Sequence, residues 1–162
     1  MATRREAREW AVQVLFQLEL NPVKSADELN VMFDEFWATQ LRLKLEKAKE
    51  PIEETTFTGK WRDRVGDKRS RKFAEGLVIG VMAHQVEIDE LLKKQVENWD
   101  LTRLGGIERN VLRMALYEMK FSEKPPPVAV VINEAIDVGK FFSSRDSGRF
   151  INGILDKIAK EN

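Results

Sequence analysis

Apolar residues recur along most of this chain at the three- and four-residue spacing of amphipathic helices. Ala7, Trp10, Ala11, Val14, Leu15 and Leu18 mark one face of a first helix, capped by Thr3 and closed near Asn21-Pro22. Ser25-Ala-Asp-Glu28 has the form of a capping box, with Leu29, Met32, Phe33, Phe36 and Trp37 after it at helical spacing. A second helix therefore starts there and runs on through Leu41, Leu45 and Ala48 toward Pro51. Periodicity lapses over residues 51–72, where Thr55-Thr56, Gly59 and Gly66 predict an extended, partly mobile connection. A long third helix over about residues 68–94 carries Phe73, Leu77, Val78, Val81, Met82, Val86, Ile88, Leu91 and Leu92.

The stretch IERNVLRMALYEMK, residues 107–120, organises the rest. Ile107, Val111, Met114 and Ala115 form one stripe, and Leu112, Leu116 and Met119 widen it beyond what a surface helix needs, so other helices must cover it from several sides. Trp99, Leu101 and Leu104 lead into it through Gly105-Gly106, and Pro125-Pro126-Pro127 ends it. A helix over residues 128–142 follows, with Ile132, Ala135, Ile136 and Gly139 on a face whose small members allow close helix approach. Residues 143–148 form a polar turn, and Asp146 or Ser147 caps a last helix bearing Phe150, Ile151, Ile154, Leu155 and Ile158. Gly153 inside that helix costs about 1 kcal/mol relative to alanine, which predicts a compensating close contact with a neighbour. The pattern specifies an all-α protein, a compact bundle of about seven helices.

Composition narrows the chemistry. A chain of 162 residues with 43% hydrophobic content can build one domain-sized core. It has no Cys and a single His, His84, which excludes thiolate catalysis, disulfides and His/Cys metal clusters and leaves His84 a structural role. No apolar run is long enough to cross a bilayer, and the basic N-terminus lacks the features of a secretory signal, so a cytoplasmic location is expected. Lys plus Arg equals Asp plus Glu, 27 each, so any nucleic-acid contact must be local. Residues 26–54 carry eight acids against four bases, whereas residues 60–72 carry seven bases against two acids, with Trp61 among them. That basic run can stack on and neutralise a nucleic acid, form a solvated loop, or fold back on the acidic second helix.

Candidate catalytic features are weak. There is no glycine-rich phosphate loop. Glu118 and Glu134 are a nominal acid and base, better explained if one of them neutralises Arg113 inside the bundle. No enzymatic activity is expected, and no cofactor or metal. Arg4, Arg5 and Arg8 in the first turns of helix one oppose the helix dipole by about 0.3–1 kcal/mol each. They form either a solvated helix end with internal ion pairs or an anion-binding arm.

Four blocks, in order, resemble the NusB family of transcription antitermination factors. They are RREAREWAVQVLF (4–16), ERNVLRMALYE (108–118), VINEAI (131–136) and FINGILDK (150–157). The resemblance implies two small helical subdomains and a single RNA-binding domain over residues 1–162, with a basic insertion around 51–72. It implies binding to single-stranded boxA RNA of ribosomal RNA leader transcripts jointly with NusE, a small-subunit ribosomal protein, in the RNA polymerase antitermination complex. Carried over, the RNA-binding residues are Arg4, Arg5, Arg8, Phe16, Glu108, Asp146, Arg149 and Phe150; a tyrosine is common in the family where Phe16 stands. Phe16 and Phe150 can equally be core residues. A homodimer, or a helical module that assists rRNA maturation or self-assembles without RNA, is the alternative.

Overall fold

A computed structural model describes residues 2–96 and 104–161. Within them six α-helices follow in order: α1 (Arg4–Leu20), α2 (Ala26–Lys47), α3 (Lys68–Gln95), α4 (Gly106–Leu116), α5 (Val128–Phe142) and α6 (Arg145–Lys160). A 3₁₀ turn, Trp61–Arg64, precedes α3, and a π-helical turn, Tyr117–Phe121, continues α4. Trp99 and Leu101 lie outside the described residues; Leu104, the third member of that lead-in, is buried.

Helix α4 is the hub. Val111, Leu112, Met114, Ala115 and Leu116 are all buried, and α4 touches α1, α3, α5 and α6. An apolar surface this wide is stable only when several partners remove it from water. Helices α1 and α3 pack together, as do α5 and α6, so the two halves share one continuous core through α4.

Local chemistry sets the helix ends. Thr3 and Glu6 form a reciprocal capping box on α1, and Ser25 accepts from the Glu28 N–H on α2. On α6 the cap is Ser144, whose Oγ accepts from the Ser147 N–H; Asp146 and Ser147, expected as caps, fall inside the first turn. Helix α3 is kinked at His84 (φ −118°, ψ 16°), where the imidazole stacks on Phe121 at 4.7 Å and Nδ1 shares a hydrogen bond with Glu87. Ile88 and Leu92 continue the buried face of Leu77, Val78 and Val81, while Val86, expected on that face, is exposed because it stands on the same side of the helix as the exposed Ile79 and Met82.

Glycines mark the tight crossings. Ile151 covers Gly139, and Lys140 and Ile136 crowd Gly148, so α5 and α6 meet through small residues, as the 128–142 pattern predicts. Gly153 departs from expectation: nothing lies within 4 Å of where its Cβ would stand. The close approach lies instead at Gly148, which is buried, whereas Gly153 faces solvent.

The basic run before α3 folds back on α2, the third of the three outcomes considered. Arg62 bonds Asp34 at 2.9 Å and Arg64 bonds Glu50 at 3.0 Å, while the Lys44 ammonium donates to the Arg64 carbonyl. Arg71 is buried, paired to Asp63 and donating to the Arg62 and Gly66 carbonyls. Trp61 is buried edge-on to Phe57, with Arg62 over its ring, so it offers no open face for a base to stack on.

Candidate nucleic-acid interface

The three arginines at the start of α1 are chemically alike and end in three different environments. Arg4 is exposed and lies over the Phe73 ring, 3.9 Å from its centroid. Arg5 reaches across to α5, with Nε 3.0 Å from Glu134 and Nη2 2.7 Å from Asp137, and keeps about half its side chain in water. Its Glu134 hydrogen bond raises its pKa further. Next to it, burial and then the Glu6 charge push the Glu9 carboxyl above its ordinary value, against the pull of Arg5.

Arg8 turns inward. Its Nε and Nη2 donate to the two Glu118 oxygens at 2.9 and 2.8 Å, and both side chains are almost fully buried. Its guanidinium is not offered to solvent, which corrects its assignment to an accessible basic arm. The same contact revises the partner expected for Arg113. Glu118 neutralises Arg8 and Glu134 neutralises Arg5, while Arg113 is held by Glu19 and by Asp89, the latter at 2.9 and 3.1 Å.

The remaining predicted residues gather where α4 and α6 begin. Phe16 is partly exposed, and its ring edge lies against Gly106, where a Cβ would collide with it. Two residues on, Glu108 accepts from Ser147 Oγ at 2.6 Å and from Ser143 Oγ at 3.3 Å, tying the start of α4 to the start of α6. Asp146 and Arg149 are exposed on the first turn of α6, 3.6 Å apart, and Phe150 is half-buried against the core.

Arg5 and Phe16 stand eleven residues apart on α1, close to three full turns, so they share a face about 17 Å apart. The strip between them follows α5: Arg5 meets Glu134 and Asp137, Lys140 packs on Gly148 of α6, and Ser143 at the C-terminal end of α5 meets Glu108. The N-terminal arm and the start of α6 therefore lie along one edge of the molecule. That edge is not strongly basic, since Arg5, Lys140, Arg145 and Arg149 are interleaved with Glu9, Glu134, Asp137 and Asp146.

A part-buried network braces the edge from behind. Glu19 binds Arg109, Arg113 and Asn110, and Arg113 continues to Asp89 on α3. Burial opposes the charge on Glu19, but the Arg109 hydrogen bond and the charges of Arg109 and Arg113 outweigh it and hold the carboxyl below its ordinary value. The network floors a cleft of about 700 Å³ with Leu15, Leu18, Pro22, Val23 and Met82 around it. Among the described residues no group of three or more His, Cys, Asp or Glu could hold a metal ion, and no helix is long and apolar enough to cross a membrane.

Sequence reasoning missed Ser143, Ser147, Glu134 and Asp137 as parts of this edge. Ser143 ends α5 and Ser147 lies in the first turn of α6, so no helix period links them, Glu108 is 35 and 39 residues away from them, and Glu134 is 129 residues from Arg5. No local pattern carries that information.

Residues 5–160 match the family model described as the NusB family. The chain is 35% identical over 161 residues to the transcription antitermination protein NusB of Elusimicrobium minutum, covering 99% of this chain and 96% of that protein. It is similar to the crystal form of T. maritima NusB, with a TM-score of 0.72 and 32% identity over 99% of this chain and 93% of the other. It also resembles a chain in the crystal structure of the antitermination factors NusB and NusE in complex with double-stranded RNA, with a TM-score of 0.67 and 26% identity over 98% and 97% of the two chains. An all-helical scaffold with α4 at its centre, matched end to end in sequence and in structure, places the chain by descent: it belongs to the NusB family.

Proposed function

We propose that this chain is a transcription antitermination factor that binds boxA-like RNA of ribosomal RNA leader transcripts together with NusE, within an RNA polymerase antitermination complex in the cytoplasm. It works by binding and performs no bond-making chemistry. Residues 1–162 act as one RNA-binding domain, with the basic segment around 51–72 as an insertion braced on α2. The observation that carries the reading is the common edge along which Arg5, Phe16, Glu108 and the start of α6 follow one another, with Arg4 next to it on α1 over Phe73. Such an edge suits an unpaired strand. Arg4, Arg5 and Arg149 meet phosphates, while Phe16 and Phe150 offer stacking worth about 1–3 kcal/mol per base. Glu108 and Asp146 accept from base amino groups. Arg8 contributes indirectly, by fixing α1 to the π-helical turn through Glu118. The solved complex of a similar chain with NusE and RNA supports both partners.

The test is binding of labelled boxA leader RNA, with and without NusE, across a salt series. Each phosphate neutralised on a single strand contributes about −0.7 to the slope of log K against log salt. Arg4→Ala with Arg5→Ala is expected to flatten that slope by up to about 1.4 while leaving the melting temperature nearly unchanged, because the Arg5 pairs are solvent-screened. An unchanged slope removes the arm from the interface. Absence of RNA binding at low salt with NusE present refutes the function.

A further inference from the structure

Among the carboxylates of the proposed RNA edge, Glu108 is held by hydroxyl groups. Glu134 and Asp137 are paired with Arg5, and Asp146 with Arg149. Ser147 Oγ donates to Glu108 Oε1 at 2.6 Å, and Ser143 Oγ lies 3.3 Å from the same oxygen and 2.8 Å from Ser147 Oγ. The three oxygens form a closed triangle on one side of the carboxylate. On the other side Oε2 lies against Gly105, so close that a Cβ there would collide with it. The side chain is thus held through Oε1 by the two hydroxyls, while Oε2 fills space that only a glycine at position 105 leaves open. A carboxylate has about four lone-pair positions, and the two hydroxyls leave acceptor capacity unused.

The backbone makes this arrangement stiff. Ser147 is buried in the first turn of α6, and its own N–H is fixed by the Ser144 cap. Gly148 beside it is packed on Lys140 and Ile136 of α5. Behind Glu108, Arg109 is anchored to Glu19 and to the Leu104 carbonyl. A negative charge held in place here repels a phosphate and can only accept hydrogen bonds, so the nucleic-acid group it suits is an amino-bearing base edge.

We propose that Ser147, assisted by Ser143, is a positioning residue for base recognition: it orients Glu108 to accept from the exocyclic amino group of one unpaired nucleobase. This rests on the reading that Glu108 faces RNA, and it adds that the serines set specificity at one nucleotide without touching the strand. A merely structural role would tie α4 to α6 and affect stability alone.

The experiment uses the purified chain and boxA leader RNA in which single exocyclic amines are deleted: inosine for guanosine, purine riboside for adenosine, and pyrimidin-2-one riboside for cytidine. Wild type is expected to lose at least about fivefold in affinity at one position, the lower end for a good side-chain contact to a base. Ser147→Ala is expected to weaken the unmodified RNA severalfold and shrink the amine penalty at that position to under about twofold, with Ser147→Thr restoring it. Ser143→Ala, at an exposed site, reads out the same effect more weakly without disturbing α6 packing. If Ser147→Ala and Ser143→Ala both keep the full penalty, while Glu108→Gln loses it, the positioning role is overturned and Glu108 still faces RNA. If Glu108→Gln keeps the penalty, or wild type shows none at any position, the reading of Glu108 fails and the serine role fails with it.

Discussion

Arg8→Met is expected to destabilise the protein by about 3–5 kcal/mol, the usual cost of removing one partner from a buried ion pair. The two side chains are 6% and 4% exposed, so solvent screening gives little relief. Two charge-assisted bonds of 2.9 and 2.8 Å are lost, and Glu118 is left with an uncompensated charge under α1. For a chain of this length each kcal/mol moves the melting temperature by about 2–4 °C, so a fall of about 6–20 °C is anticipated. The double replacement Arg8→Met with Glu118→Leu removes both charges and their desolvation cost, and should recover most of the loss. Thermal and urea melts of wild type, both single variants and the double variant close the cycle. The same four proteins, titrated with RNA across salt under conditions where all are folded, should give equal slopes. If Arg8→Met melts within about 2 °C of wild type, far less than the expected shift, and flattens the salt slope by about 0.7, then Arg8 is a phosphate contact and its burial against Glu118 does not describe the protein in solution.

Two further outcomes probe the core and the brace behind the edge. Because Glu19 is held below its ordinary carboxyl value of 4.5, its contribution is complete above that pH and is lost as pH falls through the lower folded value; the melting temperatures of wild type and Glu19→Gln should therefore differ near neutrality and converge in acid, and a constant gap down to about pH 2 would contradict the network. Gly80→Ala should destabilise by about 1–3 kcal/mol because its methyl meets the Tyr117 ring, whereas Gly153→Ala, with open space at its Cβ, should stabilise by about 0.5–1 kcal/mol in parallel urea melts, and equal signs would refute the assigned crossings.

Much of the architecture was legible along the chain. Thr3 and Ser25 begin their helices, the width of the apolar surface on residues 107–120 identifies the buried hub, and Gly139 marks a close crossing. Each of these depends on neighbours three or four residues away, the range over which a helix brings side chains together. The motif blocks carry the family because they keep that local order.

Which charge meets which depended on the assembled fold. Arg4, Arg5 and Arg8 are alike in one dimension, yet one rests on Phe73, one bridges to α5 and one is buried against Glu118. Gly148 is assigned to the polar turn and Gly153 to the helix in one dimension, yet α5 packs on Gly148 and leaves the side of α6 that bears Gly153 to water. His84 shows the same dependence, since the aromatic ring it stacks on, Phe121, reaches it only once α3 and the turn after α4 have packed together. Helical periodicity is enforced by backbone hydrogen bonds four residues apart and can be read from a short window of chain. Partner choice among charged groups is enforced by burial and by distances between segments up to 132 residues apart, and it exists only once the helices have packed.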